Sequence, residues 1–235
     1  MVTRRSASES KKASLSPSAD EVYAFEREAL RIAINEHGIH RVPMASHEMR
    51  SIDDTSWYWW QFYLRGPLLV SRHLRFIAHA FWKLNAPRWH ERAFQLATIE
   101  QAGLPVITAI IMAAPLWRVN DLHAFTVRKT RKDFGRRNII EGEPDRDLPV
   151  LLVDDLTSIE HNSIWHAITV ISRAGLKLDA KAFVVVFKGQ RHTSPRILET
   201  SLGRVTIESI YTLNDFNLTF EEYRAAKTWS EPMPR

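Results

Sequence analysis

The stretch PVLLVDDLTSIEHNS, residues 149–163, decides how the rest of the chain is read. Val150, Leu151, Leu152 and Val153 form a short continuous apolar run, the pattern of a strand buried on both faces. It ends in two carboxylates, Asp154 and Asp155, and then a polar loop. From Ile164 the period changes. Ile164, Ala167, Ile168 and Ile171 fall at i, i+3, i+4 and i+7, one face of a helix that stops near Gly175. Open α/β sheets bind ligands at such carboxyl ends of strands, and a helix N-terminus receives anions.

A second charged stretch precedes it. The strand expected over Ala124 to Val127 runs straight into six cations, Arg128, Lys129, Arg131, Lys132, Arg136 and Arg137. They lie on a long loop, expected to be mobile from about Thr130 to Asp147, and long loops in compact domains are usually functional or disordered. Because this run leaves one parallel strand just before the strand ending in Asp154 and Asp155, cations and acids are expected to meet at one sheet edge. Lys and Arg suit phosphate oxygens, while carboxylates orient hydroxyls or hold a hydrated Mg²⁺.

Working outward, strands are expected over Phe94 to Thr98, Ala182 to Phe187 and Val205 to Tyr211, and helices over Ser71 to about Lys83 and Leu104 to Ala113. This alternation implies a mainly parallel sheet with helices on both faces. Near the start, Ser18 and Glu21 have capping-box spacing, Val22, Phe25, Ala29 and Ile32 form an apolar stripe, and Gly38 marks the stop. Residues 1–17 read as a disordered basic tail, and 18–235 as one domain with an N-terminal helical addition. The aromatic run from Trp57 to Trp60 reads as core, subunit interface or a stacking surface. Phe220 to Lys227 reads as a short terminal helix.

Composition narrows the classes. The chain has 235 residues, 45% hydrophobic and 25% charged, ordinary for a globular protein. It has no cysteine, which excludes disulfides, Cys-based zinc sites and a Cys nucleophile. This is compatible with the cytoplasm, and no apolar run approaches the roughly 18 residues of a spanning helix. A net charge of +5 suits a polyanionic ligand and equally suits nucleic acid. No P-loop string, nucleophile elbow or HExxH string is present.

The stretch around Asp154 and Asp155 resembles the phosphoribosyl pyrophosphate (PRPP) motif of the type I phosphoribosyltransferases. The cation stretch, Arg128-Lys129, two residues, Lys132, then Phe134-Gly135 and Ile140-Glu141-Gly142, is similar to the loop motif of orotate phosphoribosyltransferases, with Phe134 where that family has His. The residues from Glu100 to Pro105 resemble the family's pyrophosphate turn. The resemblance implies a type I phosphoribosyltransferase-like α/β fold and a homodimer using Mg²⁺, with Trp57 to Trp60 as the candidate interface. It further implies that Arg128, Lys129 and Lys132 bind pyrophosphate and Asp154 and Asp155 hold ribose and, through water, the metal. Ser158 and Asn162 would receive the 5′-phosphate, and Lys188 would face the base.

Two functions follow. One is a glycosyl transfer that joins a nitrogenous base to ribose 5-phosphate from PRPP, releasing pyrophosphate. The other is a non-catalytic protein of the same fold that senses a nucleotide or binds nucleic acid. Ile159, Glu160 and His161 stand where the family's phosphate loop has small residues and glycine. A carboxylate there opposes a bound dianion, by roughly 3 kcal/mol per unit charge at about 5 Å and an effective dielectric near 20. If Glu160 points into the phosphate pocket, Glu160→Gly is expected to bind PRPP with Mg²⁺ more tightly than the natural chain in calorimetric titration; if it turns outward, the backbone amides stay free and the transferase reading stands. Equal affinities would show that the loop amides are free with Glu160 in place.

Overall fold

The acid-tipped apolar run forms an inner strand of a twisted sheet. The computed structural model describes residues 17–41, 60–89, 93–115, 122–130, 138–158, 163–188, 197–200 and 203–218. In chain order they form α1 (Ala19–Ala33), a π-turn (Ile34–Gly38), β1 (Ile39–Arg41), β2 (Trp60–Phe62), α2 (Arg65–Leu68), α3 (Ser71–Trp89) and β3 (Gln95–Ile99). There follow α4 (Leu104–Met112), β4 (His123–Val127), β5 (Ile140–Glu141), β6 (Val150–Thr157), α5 (Ser163–Arg173), β7 (Leu178–Phe187), β8 (Ile197–Thr200), β9 (Gly203–Thr212) and a 3-10 turn (Leu213–Phe216). Residues 1–16, Trp57 to Trp59, Lys132, Phe134, Glu160, His161, Asn162 and the expected helix at Phe220 to Lys227 lie outside the described residues.

Among the described residues the main sheet has the order β5-β4-β3-β6-β7-β9-β8, and β1 pairs with β2 in a separate antiparallel ribbon. The pairs β3–β4, β3–β6, β6–β7 and β7–β9 are parallel, whereas the edge strands β5 and β8 are antiparallel. Val150 to Val153 are buried, as a continuous apolar run between two helical layers requires. Leu151 and Val153 join the core beneath α3 and α4, with Phe81, Val106 and Ile110. Leu152 joins the core beneath α5, with Ile164, Ala167, Ile168 and Ile171. The sequence-derived helical face of α5 is thus buried as expected, and Gly175 (φ 73°) turns the chain back beyond it.

Three expectations are corrected. The strand does not stop at Val153 but carries Asp154 to Thr157, because β7 continues to pair with it as far as Thr157–Phe187. The long cationic loop is interrupted by β5, which pairs Thr126 with Glu141 and Val127 with Ile140. Beyond it Gln95 holds Leu148 O at 2.9 Å and accepts from the Asp145 N–H at 3.0 Å, so residues 138–148 are structured.

The third concerns α1. Its capping box forms, with Glu21 N–H donating to Ser18 Oγ at 3.2 Å and Ser18 N–H to Glu21 Oε2 at 2.7 Å. The stripe of Val22, Phe25 and Ile32 is nevertheless exposed, Phe25 by 74%. The inner face is Tyr23, Arg27, Leu30 and Ile34 instead. Arg27 hides that face from a hydropathy pattern, since it lies over the Tyr211 ring at 5.0 Å and pairs with Asp215 at 2.7 Å. Trp60 is only 5% exposed and packs edge-on to Phe62, which removes it from the proposed subunit interface.

Gly142, directly after β5, has φ 117°, and a Cβ there would lie 2.8 Å from Phe125 Cβ. Gly175 has a similar left-handed backbone but open space around it. Gly142→Ala is therefore expected to lose about 2 kcal/mol or more in urea unfolding, and Gly175→Ala only about 1 kcal/mol. Equal losses would show that the Phe125 contact adds nothing.

Candidate active site

Strand order locates the cleft before any side chain is considered. From β3 the chain passes to β4 on one side, and β6 lies on the other, so the order reverses between β3 and β6. A crevice opens outside the carboxyl ends of strands at such a switch point. The β3–β6 ladder runs only to Ala97–Leu152, while β6 stays paired to β7. The acid half of β6 therefore flanks a notch, and the turn from Glu100 to Gly103 occupies it. Gly103 is required there: a Cβ would sit 1.8 Å from Thr98 Oγ1 and 3.2 Å from Asp154 Oδ1.

Charged residues stand at or just beyond the strand ends around this notch. Asp154 is buried, 6% exposed, and its Oδ1 accepts the Asp155 N–H at 3.0 Å. Burial, and next the adjacent Asp155 charge, hold the Asp154 carboxyl well above the usual carboxylate range, and the Lys129 charge opposes this. Burial also raises Asp155, against the hydrogen bond with Asp154 and the Lys188 charge. Lys188 follows β7 and donates its backbone N–H to Thr157 O at 2.7 Å. Ser158 is buried at the end of β6.

From the other side come Arg128 and Lys129, directly after β4. Arg128 Nη1 donates to Glu141 Oε1 at 2.8 Å, and Lys129 Nζ lies 3.6 Å from Glu100 Oε2. Glu100 has φ 52°, unusual for a non-glycine residue, and its Oε1 accepts the Lys129 N–H at 3.0 Å. His166 on α5 reaches the Arg128 carbonyl with Nε2 at 2.8 Å. Two buried hydroxyls at the same edge, Thr98 Oγ1 and Thr157 Oγ1, have no hydrogen-bond partner among the described residues.

No family model and no curated protein sequence matches the chain. Solved structures do. A phosphoribosyltransferase from Corynebacterium diphtheriae is similar with a TM-score of 0.61 and 22% identity, over 83% of this chain and 99% of that one. This is the type I phosphoribosyltransferase fold. The orotate phosphoribosyltransferase of Mycobacterium tuberculosis gives 0.62 at 22% identity, over 82% of this chain and 99% of that one. An adenine phosphoribosyltransferase from Trypanosoma brucei, solved with AMP, pyrophosphate and ribose-5-phosphate, gives 0.51 at 14% identity, over 88% and 85% of the two chains.

On this phosphoribosyltransferase fold, six of the residues singled out from the sequence lie along one sheet edge: Arg128, Lys129, Asp154, Asp155, Ser158 and Lys188. Lys132 and Asn162 fall outside the described residues. Three residues of the edge were not legible as partners. Glu100 and Glu141 stood inside recognised motifs, but nothing in the spacing tied them to Lys129 and Arg128. His166 carried no sequence signal beyond its place near the start of a helix.

A buried carboxyl held above its unfolded range favours the folded state below the unfolded pKa, about 3.9 for Asp, and loses that contribution as pH rises through its folded value. Asp154→Asn is therefore expected to be more stable than the natural chain at neutral pH and equal to it near pH 3 in urea unfolding. A loss of stability at neutral pH would show that the charged form is better solvated than its burial implies.

Proposed function

We propose that the chain is a PRPP-dependent phosphoribosyltransferase, nearest the orotate type, that attaches ribose 5-phosphate to a nitrogenous base. The observation carrying this reading is the placement of a cation pair, Arg128 and Lys129, directly after β4 and an acid pair, Asp154 and Asp155, on β6, on either side of the switch point, with the Lys129 charge bearing on Asp154. The two pairs complement the two ends of one ligand: a diphosphate group and a ribose ring. Several of the similar structures are named as phosphoribosyltransferases, and one, from Mycobacterium tuberculosis, is named as a complex with PRPP.

In this reading the bond from ribose C1 to the pyrophosphate oxygen breaks first, and its electron pair leaves with pyrophosphate. Arg128, Lys129 and Lys132 receive the developing charge. Asp154 and Asp155 accept hydrogen bonds from the ribose hydroxyls and keep C1 in place. Ser158 and Asn162 receive the 5′-phosphate near the start of α5. A nitrogen lone pair of the base then forms the new bond to C1, and Lys188 holds the base.

Among the described residues no group of three or more His or carboxylate side chains could hold a metal by itself. Asp154 and Asp155 fit a hydrated Mg²⁺ that arrives with the substrate, because this ion binds through one or two carboxylates plus substrate phosphates. When bound it would neutralise pyrophosphate charge. A homodimer and a cytoplasmic location belong to the same proposal. Among the described residues no helix is long and apolar enough to cross a membrane.

A second reading, a ligand-binding regulator without turnover, draws on the pairing of both described cations with resident carboxylates. Calorimetry with PRPP and Mg²⁺, followed by a pyrophosphate-release assay over a panel of bases, separates the two. The transferase reading expects micromolar binding and base-dependent release. In Asp155→Asn, the loss of charge-assisted hydrogen bonds is expected to weaken PRPP binding about 10- to 100-fold. Binding without release for any base would favour the regulator, and no PRPP binding would sink the transferase reading.

A further inference from the structure

Lys129 and Arg128 are not waiting as free cations. Each is held by a carboxylate from a different element: Lys129 by Glu100 in the turn after β3, and Arg128 by Glu141 on the edge strand β5. The carboxylates are themselves held by backbone. Glu100 donates its N–H to Val127 O at 2.9 Å, and Glu141 is fixed opposite Thr126 in the β4–β5 ladder.

The main chain of the cations is pinned as well. Arg128 N–H donates to Ile139 O at 2.8 Å, its carbonyl meets His166 Nε2 at 2.8 Å, and Lys129 N–H donates to Glu100. What remains free to change is the side chains. A long side chain can leave a carboxylate for a ligand oxygen by rotamer change, with no backbone rearrangement. Arg128 keeps a buried Nε with no hydrogen-bond partner among the described residues, so its guanidinium is not saturated by Glu141.

We propose that Glu100 and Glu141 are positioning residues that set the affinity for the leaving group, by reclaiming Lys129 and Arg128 as pyrophosphate departs. The proposal rests on the transferase reading for the identity of the leaving group. Its physical content is a competition between internal and external anions for the same two cations. The internal anions keep the cations aimed when the site is empty. They also weaken the hold on product, which must leave before the next turnover.

The test is calorimetric titration of the full chain with inorganic pyrophosphate, with Mg²⁺ at fixed ionic strength. Glu100→Gln and Glu141→Gln retain an acceptor oxygen but lose the charge. Each is expected to bind pyrophosphate about fivefold tighter, the equivalent of one half-exposed ion pair. The gain from Glu100→Gln should vanish in a Lys129→Gln background, because the competitor then has nothing to compete for. Glu199→Gln, which removes the same charge from the Arg204 pair on the far edge β8–β9, should change nothing.

Unchanged or weaker binding in both carboxamide variants would overturn the proposal, as would an equal gain in Glu199→Gln. PRPP titrated in parallel against the natural chain separates this from the parent reading. If PRPP binds and the variants show no gain, only the competition fails. If PRPP does not bind but the pyrophosphate pattern holds, the competition stands and the transferase reading fails. Absence of both pyrophosphate and PRPP binding overturns both.

Discussion

A carboxylate buried at the end of a core strand has to be neutralised, hydrogen-bonded or matched by cations, and the architecture around β6 supplies all three. Its first half is sealed between two apolar layers, with Leu151 and Val153 on one side and Leu152 on the other. Its second half carries Asp154 past the end of the β3 ladder into the switch-point notch. There Asp155 offers a backbone N–H, Gly103 leaves room for the carboxyl oxygen and Lys129 lends opposing charge, while Lys188 lends the same to Asp155. Much of the surrounding geometry serves to place one charged group where water cannot fully reach it.

The same edge balances its charges internally. Arg128, Lys129 and Lys188 face Glu100, Glu141, Asp154 and Asp155, so the cleft is not a simple anion hole. A ligand joining a polyphosphate to a hydroxyl-rich ring can address both signs at once. A ligand of one sign must displace resident partners on one side and meet repulsion on the other. Electrostatic matching of this kind selects by the distribution of charge within the ligand rather than by its total.

Distance from the cleft does not mean independence from it. Helix α1 is tied to the far side of the sheet by Arg27, which reaches Asp215 and Ile210 O, and by Tyr211 Oη, which donates to Arg27 O at 2.5 Å. Trp82 on α3 donates to Ile110 O on α4 at 3.0 Å, which holds the layer that begins at the Gly103 turn. On the opposite face His166 links α5 to Arg128. Helices on both faces thus reach the two segments that carry the cleft's charge.

How much of this was legible in the chain divides along one line. Wherever a residue's role follows from its near neighbours, the sequence determined it: the buried run Val150 to Val153, the helical face from Ile164 to Ile171, the Ser18–Glu21 cap and the cation run beginning at Arg128. Parallel strands with helical crossovers then place successive strand ends on one edge, which is why Arg128, Lys129, Asp154, Asp155, Ser158 and Lys188 could be grouped in advance. Tertiary structure alone decided which carboxylate pairs with which cation, because Glu100 and Lys129 are 29 residues apart and Arg128 and Glu141 are 13 apart. It also decided that α1 buries Tyr23, Leu30 and Ile34 around an inward Arg27, and that β6 runs on through its acids. A helix with two apolar stripes and a strand ending in charge each have two local solutions, and only the partner that packs or pairs against them chooses.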